Sequence, residues 1–127
     1  TYLLLQRLRT AGFTEALAQF AAGGGALYGG SAGAILFGRD IATCAHMDEN
    51  TVGLVDTVGL DLVHGHAIWC HYQTADKLLV RAYVADTQLP VLALAETSGL
   101  WVRGPGNLQP LGTTSILRFT PDALHTL

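Results

Sequence analysis

Apolar residues recur along the first part of the chain with the period of an α-helix. A stripe within residues 2–8 predicts a helix of about ten residues that ends at Gly12, the usual place for a C-terminal glycine. A second short helix is predicted from Thr14 to the glycine run at residues 23–25. The same periodicity returns over residues 74–85 and predicts another helix there.

Short apolar runs bounded by turn-forming residues predict the strands. The clearest is residues 91–95, a buried strand that follows Pro90. Further strands are predicted at residues 26–28, 66–70, 99–102 and 115–119. Residues 39–61 lack a firm period and predict a loop over the functional site. Helices that alternate with buried strands indicate an α/β fold with a mainly parallel sheet, closed by a short antiparallel part with a hairpin near residues 104–107.

Composition and charge narrow the possible functions. Half of the 127 residues are hydrophobic and 13% are charged, which indicates one globular domain over residues 1–127. The net charge of -3, without a basic stripe, argues against nucleic acid as a partner. No apolar run approaches the ~20 residues of a membrane span. Cys44 and Cys70 form no CxxC pair, so we expect a reducing, cytoplasmic setting.

The first chemical motif is Gly-Gly-Ser-Ala-Gly at residues 29–33. It fits the G-x-S-x-G nucleophile elbow, in which small residues let a strand turn sharply into a helix and expose the serine hydroxyl. Ser31 would be the nucleophile. The competing interpretation is an ordinary glycine-rich turn, or an anion-binding turn at the start of a helix.

A serine hydroxyl needs a general base, and His71 is the best placed of the five histidines. It follows the predicted strand at residues 66–70, and doubly wound sheets place their ligands at such strand ends. His64 and His66 form His-Gly-His, but two ligands without a third make a weak metal site. We therefore predict no metal.

The base in turn needs a carboxylate that orients its ring. Glu96 ends the strand at residues 91–95 and would lie beside His71 if the two strands are neighbours. Asp48, next to Glu49, is the rival acid, although a solvated loop is the simpler interpretation of that pair.

These segments together resemble peptidase family S51, the family of aspartyl dipeptidase (peptidase E) and cyanophycinase. The resemblance lies in residues 1–5, 28–34, 47–49, 71–72 and 94–100. It implies a glutamine-amidotransferase-like, flavodoxin-like three-layer sandwich and a Ser-His-Glu triad in the order Ser31, His71, Glu96, with no cofactor. It also implies a cytoplasmic serine peptidase that cleaves dipeptides with an N-terminal aspartate.

The chain also departs from the family pattern, because it looks like the C-terminal part of a longer family member. We expect an upstream segment with the first strands as a partner, and a homodimer as a further possibility for covering the exposed sheet edge. The upstream segment would hold one oxyanion donor. In this sequence the Ala32 N–H is the candidate donor, with the Gly30 backbone beside it.

Three questions stay open at this point. An aspartate substrate needs a cation, for which Arg81 and Arg39 are the candidates. Thr1 could be an N-terminal nucleophile, although its neighbours have a helical pattern. The chain could also be a non-catalytic binding module on the same fold, and the separation of Ser31 from His71 distinguishes that case from an enzyme.

Overall fold

The computed structural model describes residues 1–104 and 106–127, in which three helices precede the first strand and a fourth connects the first strand to the second. The helices are α1 Tyr2–Thr10, α2 Phe13–Ala22, α3 Ala32–Leu36 and α4 Lys77–Thr87. The strands are β1 Ala67–Trp69, β2 Val91–Ala93, β3 Ser98–Val102, β4 Leu108–Gly112, β5 Leu117–Phe119 and β6 Leu124–Thr126. Short 3-10 turns cover Ala42–Cys44 and Thr74–Asp76. The helices predicted at the start and in the middle of the chain are thus confirmed.

The main sheet has the strand order β1-β2-β5-β6. Only β1 and β2 are parallel, while β2 with β5 and β5 with β6 are antiparallel. The predicted mainly parallel sheet is therefore wrong for the described residues. Parallel neighbours need a long crossover, and α4 supplies one between β1 and β2. After β2 the chain returns through a hairpin and then a tight turn, which give antiparallel pairing.

Apolar residues alternate between the two faces of this sheet and bury both. Ile68, Leu92 and Ile116 face the side that α1 and α3 cover, in one cluster with Leu5 and Leu36. The intervening residues face α4, where the second cluster contains Trp69, Val91, Phe119, Val80 and Val84. Helices thus pack on both sides of a mixed sheet, which confirms the α/β class, while the flavodoxin-like topology stays a prediction.

The strand predicted at residues 26–28 is wrong. These residues form no regular element, no backbone hydrogen bond joins them to another described segment, and Tyr28 is 95% exposed. An apolar run becomes a strand only when a neighbouring backbone pairs with it. The segment leads directly into α3 as an unpaired arm.

The loop at residues 39–61 is confirmed as largely irregular, but most of it lies away from the predicted site, beside which only Asp61 at its end is found. Arg9 of α1 donates to the carbonyls of Asp56 and Val58 at 2.7 Å, which fixes the loop on α1. Its apolar residues Val52 and Leu54 pack against the cluster around α1.

The late hairpin is confirmed as β3 paired with β4, although Pro105 of its predicted turn lies outside the described residues. Gly12, at φ 71, separates α1 from α2 as the predicted helix end. Cys44 and Cys70 are free and buried. Over residues 1–104 and 106–127, no helix has the length and apolar character that crossing a membrane requires.

Phe119→Ala should lower the free energy of unfolding by about 3–5 kcal/mol, since a fully buried aromatic ring leaves a cavity between the sheet and α4. Leu78→Ala on the outer face of α4 is the matched control, because Leu78 is 81% exposed and should change stability by less than about 0.5 kcal/mol. Urea unfolding of both variants measures the difference. Equal losses would contradict the assignment of Phe119 to the core.

Candidate active site

Ser31 lies at a sharp turn between the unpaired arm and α3. Its backbone has φ 50 and ψ -118, outside the small left-handed well that non-glycine residues ordinarily occupy. Such a conformation costs about 1–3 kcal/mol and is typical of functional sites. The turn leaves the Ser31 side chain exposed to solvent.

The two outer glycines of the motif allow this turn because they approach each other. A Cβ atom on Gly29 would lie 2.7 Å from the carbonyl carbon and oxygen of Gly33, and 2.8 Å from the Phe37 ring. Any side chain at Gly29 would force the start of α3 away from the arm. The first glycine of the motif is thus a packing requirement of the elbow, whereas a Cβ atom on Gly33 would meet nothing within 4 Å.

His71 lies directly against the serine. The distance from Ser31 Oγ to His71 Nε2 is 3.0 Å, a normal hydrogen-bond length. His71 follows the end of β1 at φ 59, and the next residue, Tyr72, donates its N–H to the Leu94 carbonyl beyond β2 at 2.9 Å. The end of β1 is therefore tied to the end of its parallel neighbour, which sets the ring beside the next strand's exit.

Glu96 leaves the end of β2 and contacts the other side of the ring. Its Oε1 lies within hydrogen-bond distance of His71 Nδ1. A ring that donates from Nδ1 to this carboxylate presents an unprotonated Nε2 to the Ser31 hydroxyl. The Glu96 side chain is 75% exposed and that of His71 33% exposed. The three side chains form one chain of hydrogen bonds at the carboxyl ends of two parallel strands.

The thiol of Cys70 contacts the backbone of Ser31. No signal in the sequence indicated this contact. The thiol donates to the Ser31 carbonyl at 3.6 Å. Burial, reinforced by the negative charge of Glu96, raises the pKa of Cys70 to about 11. The group therefore stays a neutral thiol near pH 7 and is no rival nucleophile.

Two backbone donors lie next to the serine. Ala32 is the first residue of α3, and in the described part of the chain neither its N–H nor that of Gly30 donates to another group. The carbonyls of the turn are occupied, because Gly33 donates to Gly30 at 3.0 Å and Ile35 donates to Ser31 at 3.0 Å. Both predicted donors are thus available to an oxygen bound beside Ser31.

An open groove of about 1010 Å³ runs past these residues. Its walls come from α2, the unpaired arm and strand β3, and they are mostly apolar, with Leu27, Leu94, Leu100 and Trp101 among them. Apart from the histidines, its charged side chains are the acids Asp61 and Glu96. Among the described residues that line the groove, none is Lys or Arg.

Asp48 lies elsewhere, at the start of α1. Its carboxylate accepts a hydrogen bond from the Thr1 nitrogen, which lowers the pKa of Asp48. It does not line the groove and does not contact His71. Thr1 leads directly into helix α1 and does not line the groove, so the structure gives no support to Thr1 as a nucleophile.

The two predicted cations have different environments. Arg81 donates to the carbonyls of Thr120 and Ala123 at 3.3 Å and lies over the Phe119 ring, on the α4 side of the sheet. Arg39 is half-exposed and pairs with Asp61 of the groove at 3.1 Å. Arg39 therefore stands at the rim, while Arg81 supports the fold.

One further cation at the rim was missed by sequence reasoning. The Arg103 guanidinium lies 4.5 Å from the centre of the Trp101 ring, which lines the groove. Only the hairpin contact reveals it, because nothing in the local sequence marks Arg103 as different from the other arginines.

The remaining histidines bind backbone groups. His64 Nε2 lies 2.9 Å from the Gly104 carbonyl, and His66, which is buried, lies 2.8 Å through Nδ1 from the Val63 carbonyl. Within residues 1–104 and 106–127 no three His, Cys, Asp or Glu side chains gather as metal ligands would. The His-Gly-His segment thus has a structural explanation.

Similarity to known proteins identifies the family of the chain. The chain is similar to the crystal structure of a candidate peptidase E protein from Listeria monocytogenes EGD-e, with a TM-score of 0.72 and 25% sequence identity. The similarity covers 89% of this chain and 55% of that chain, so the chain spans about half the length of that protein. No curated protein matches the chain. A model of peptidase family S51 matches residues 1–108, which include Ser31, His71 and Glu96. The chain therefore belongs to peptidase family S51.

Proposed function

We propose that this chain carries the catalytic centre of a serine peptidase that hydrolyses small peptides through an acyl-enzyme. The family supports peptidase activity. The observation that carries the serine mechanism is the 3.0 Å contact from Ser31 Oγ to His71 Nε2, with Glu96 on the opposite ring nitrogen. A non-catalytic binding module would not need this chain of hydrogen bonds, so the contact favours the enzyme.

Acylation in this proposal begins when His71 Nε2 takes the Ser31 proton as Oγ bonds to the peptide carbonyl carbon. The carbonyl oxygen becomes an oxyanion, which the Ala32 N–H stabilises, with Gly30 as a second backbone donor. Collapse of this intermediate breaks the C–N bond, and the His71 imidazolium gives its proton to the departing amine. Glu96 holds the ring in the correct tautomer and stabilises the imidazolium.

Deacylation repeats these steps with water. His71 takes a proton from a water molecule, whose oxygen attacks the acyl ester and releases the acid, while Ser31 regains its proton. The open groove gives water access to the ester, and all required groups are side chains or backbone amides.

The preferred substrate is proposed from the family resemblance to be a dipeptide with an N-terminal aspartate. The groove lining bears on this choice, because its acids would repel the aspartate carboxylate. Arg39 stands beside Asp61 at the rim and is the cation that the substrate carboxylate would engage. We also propose a reducing, cytoplasmic compartment, which the buried free thiols of Cys44 and Cys70 support.

Ser31→Ala should lower the hydrolysis rate of a cleaved dipeptide by on the order of 10³-fold or more, because the acyl acceptor is lost. Folding should be unchanged, since the Ser31 side chain is exposed. Ser115→Ala, also exposed, is the matched control and should retain full activity. Dipeptidase assays with circular dichroism measure both effects, and a Ser31→Ala variant with normal turnover would refute the mechanism.

Glu96→Gln should lower turnover on the order of 10²-fold, because a neutral amide stabilises the imidazolium poorly. Asp48→Asn should leave turnover within about twofold, since Asp48 contacts Thr1 rather than the catalytic histidine. The ranking of the two kcat values is the measurement. A larger loss for the Asp48 variant would assign the orienting acid to the loop.

Arg39→Gln should raise KM for Asp-Leu about tenfold and leave Ala-Leu unchanged, because a half-exposed charge-assisted hydrogen bond is lost with the aspartate substrate alone. Arg7→Gln removes the same charge on α1, outside the groove, and serves as the control. Equal KM changes for both dipeptides, or no change for either, would show that Arg39 does not bind the aspartate carboxylate of the substrate.

A further inference from the structure

The position of Glu96 depends on its backbone. Its side chain is 75% exposed, and His71 is its one hydrogen-bond partner among the described residues. Within residues 1–104 and 106–127, no other side chain holds the carboxylate in place. The turn between β2 and β3, residues 94–97, therefore decides where the carboxylate stands relative to the ring.

Residues at the end of the β3–β4 hairpin form hydrogen bonds with this turn. Thr113 donates its N–H to the Thr97 carbonyl at 3.0 Å, and the hydroxyls of Thr97 and Thr114 lie 2.5 Å apart. Ser98 closes the turn by donating its N–H and its hydroxyl to the Ala95 carbonyl, at 3.1 and 2.9 Å. The residue after Glu96 is thus fixed by hairpin atoms distant in sequence.

Gly112 makes the closest approach of the hairpin backbone to the turn. It ends β4 opposite Ser98 in the register and has φ 98, a conformation that L side chains rarely adopt. A Cβ atom there would overlap the Thr97 carbonyl oxygen and lie 3.1 Å from Ser98 Cα. The carbonyl belongs to backbone, so a side chain at Gly112 has to displace the turn itself.

We propose that Gly112 is a positioning residue, which sets the Glu96 carboxylate against His71 by letting the hairpin backbone close onto Thr97. The proposal rests on the serine peptidase mechanism above. A side chain at Gly112 moves the turn, and because Glu96 has no second tether, its carboxylate moves with the turn. Misplacement of a catalytic group by about 1 Å costs on the order of 10²-fold in rate.

A matched control separates the overlap from backbone strain. Gly53 also has a positive φ, 62, but a Cβ atom there would meet nothing within 4 Å. It lies in the loop that packs on α1, away from the groove. Gly53→Ala therefore carries the conformational cost of a left-handed alanine without any overlap with the turn.

The test uses a fluorophosphonate probe, whose phosphorus bonds to Ser31 Oγ as fluoride leaves. The full chain is compared with Gly112→Ala, Gly53→Ala, Glu96→Gln and the Gly112→Ala/Glu96→Gln double variant. Gly112→Ala should lower the maximal labelling rate about 10²-fold with little change in the probe concentration at half-maximal rate. Gly53→Ala should label at the unmodified rate. In the Glu96→Gln background, Gly112→Ala should have no further effect beyond about twofold, because both changes act through one carboxylate.

Several results would overturn the proposal. Full-rate labelling of Gly112→Ala, or a loss that persists undiminished in the Glu96→Gln background, would show that Gly112 does not act through Glu96. If Gly112→Ala does not fold, Thr114→Val removes the hydroxyl contact to Thr97 instead, and should slow labelling a few-fold only when Glu96 is present; labelling at the unmodified rate would then refute the proposal. Failure of Ser31 to react in the unmodified chain would instead reject the peptidase mechanism itself.

Discussion

The parallel pairing of β1 with β2 is the constraint on which the site depends. Because parallel strands end at one edge of a sheet, residues that follow the two strands are brought side by side. His71 and Glu96 are these residues, and the Tyr72 N–H bound to the Leu94 carbonyl fixes their separation. This is the one parallel contact in the described sheet. The antiparallel strands β5 and β6 extend the sheet and carry part of its core, but they bring no side chain into contact with His71 or Glu96.

The nucleophile elbow positions Ser31, the third side chain of the site. Packing holds the strained backbone of the elbow in place. Gly29 lies so close to the Gly33 backbone and the Phe37 ring that it has no room for a side chain, and Cys70 binds the Ser31 carbonyl from the sheet. A serine at φ 50 is stable only where such contacts determine its conformation. This conformation directs the Ser31 hydroxyl toward the His71 imidazole.

Ser31, His71 and Glu96, which the structure brings into contact, could be named from the sequence because each follows a local signal: a glycine spacing or the end of an apolar run. Features of the fold that depend on contacts between distant parts of the chain were harder to predict. The strand at residues 26–28 fails for lack of a neighbour, and the sheet is mixed because short connections follow β2. Cys70, Arg103 and Gly112 matter through long-range contacts that no local pattern indicates. Asp48 matched a family segment, yet its contact is with Thr1.

Peptide mapping by mass spectrometry after fluorophosphonate treatment tests the central assignment most directly. A serine activated by His71 and Glu96 predicts one covalent adduct, on the tryptic peptide that contains Ser31, and its loss in a His71→Ala variant that remains folded. An adduct on Thr1 or another hydroxyl with Ser31 unmodified, or an equally labelled His71→Ala variant, would contradict the account.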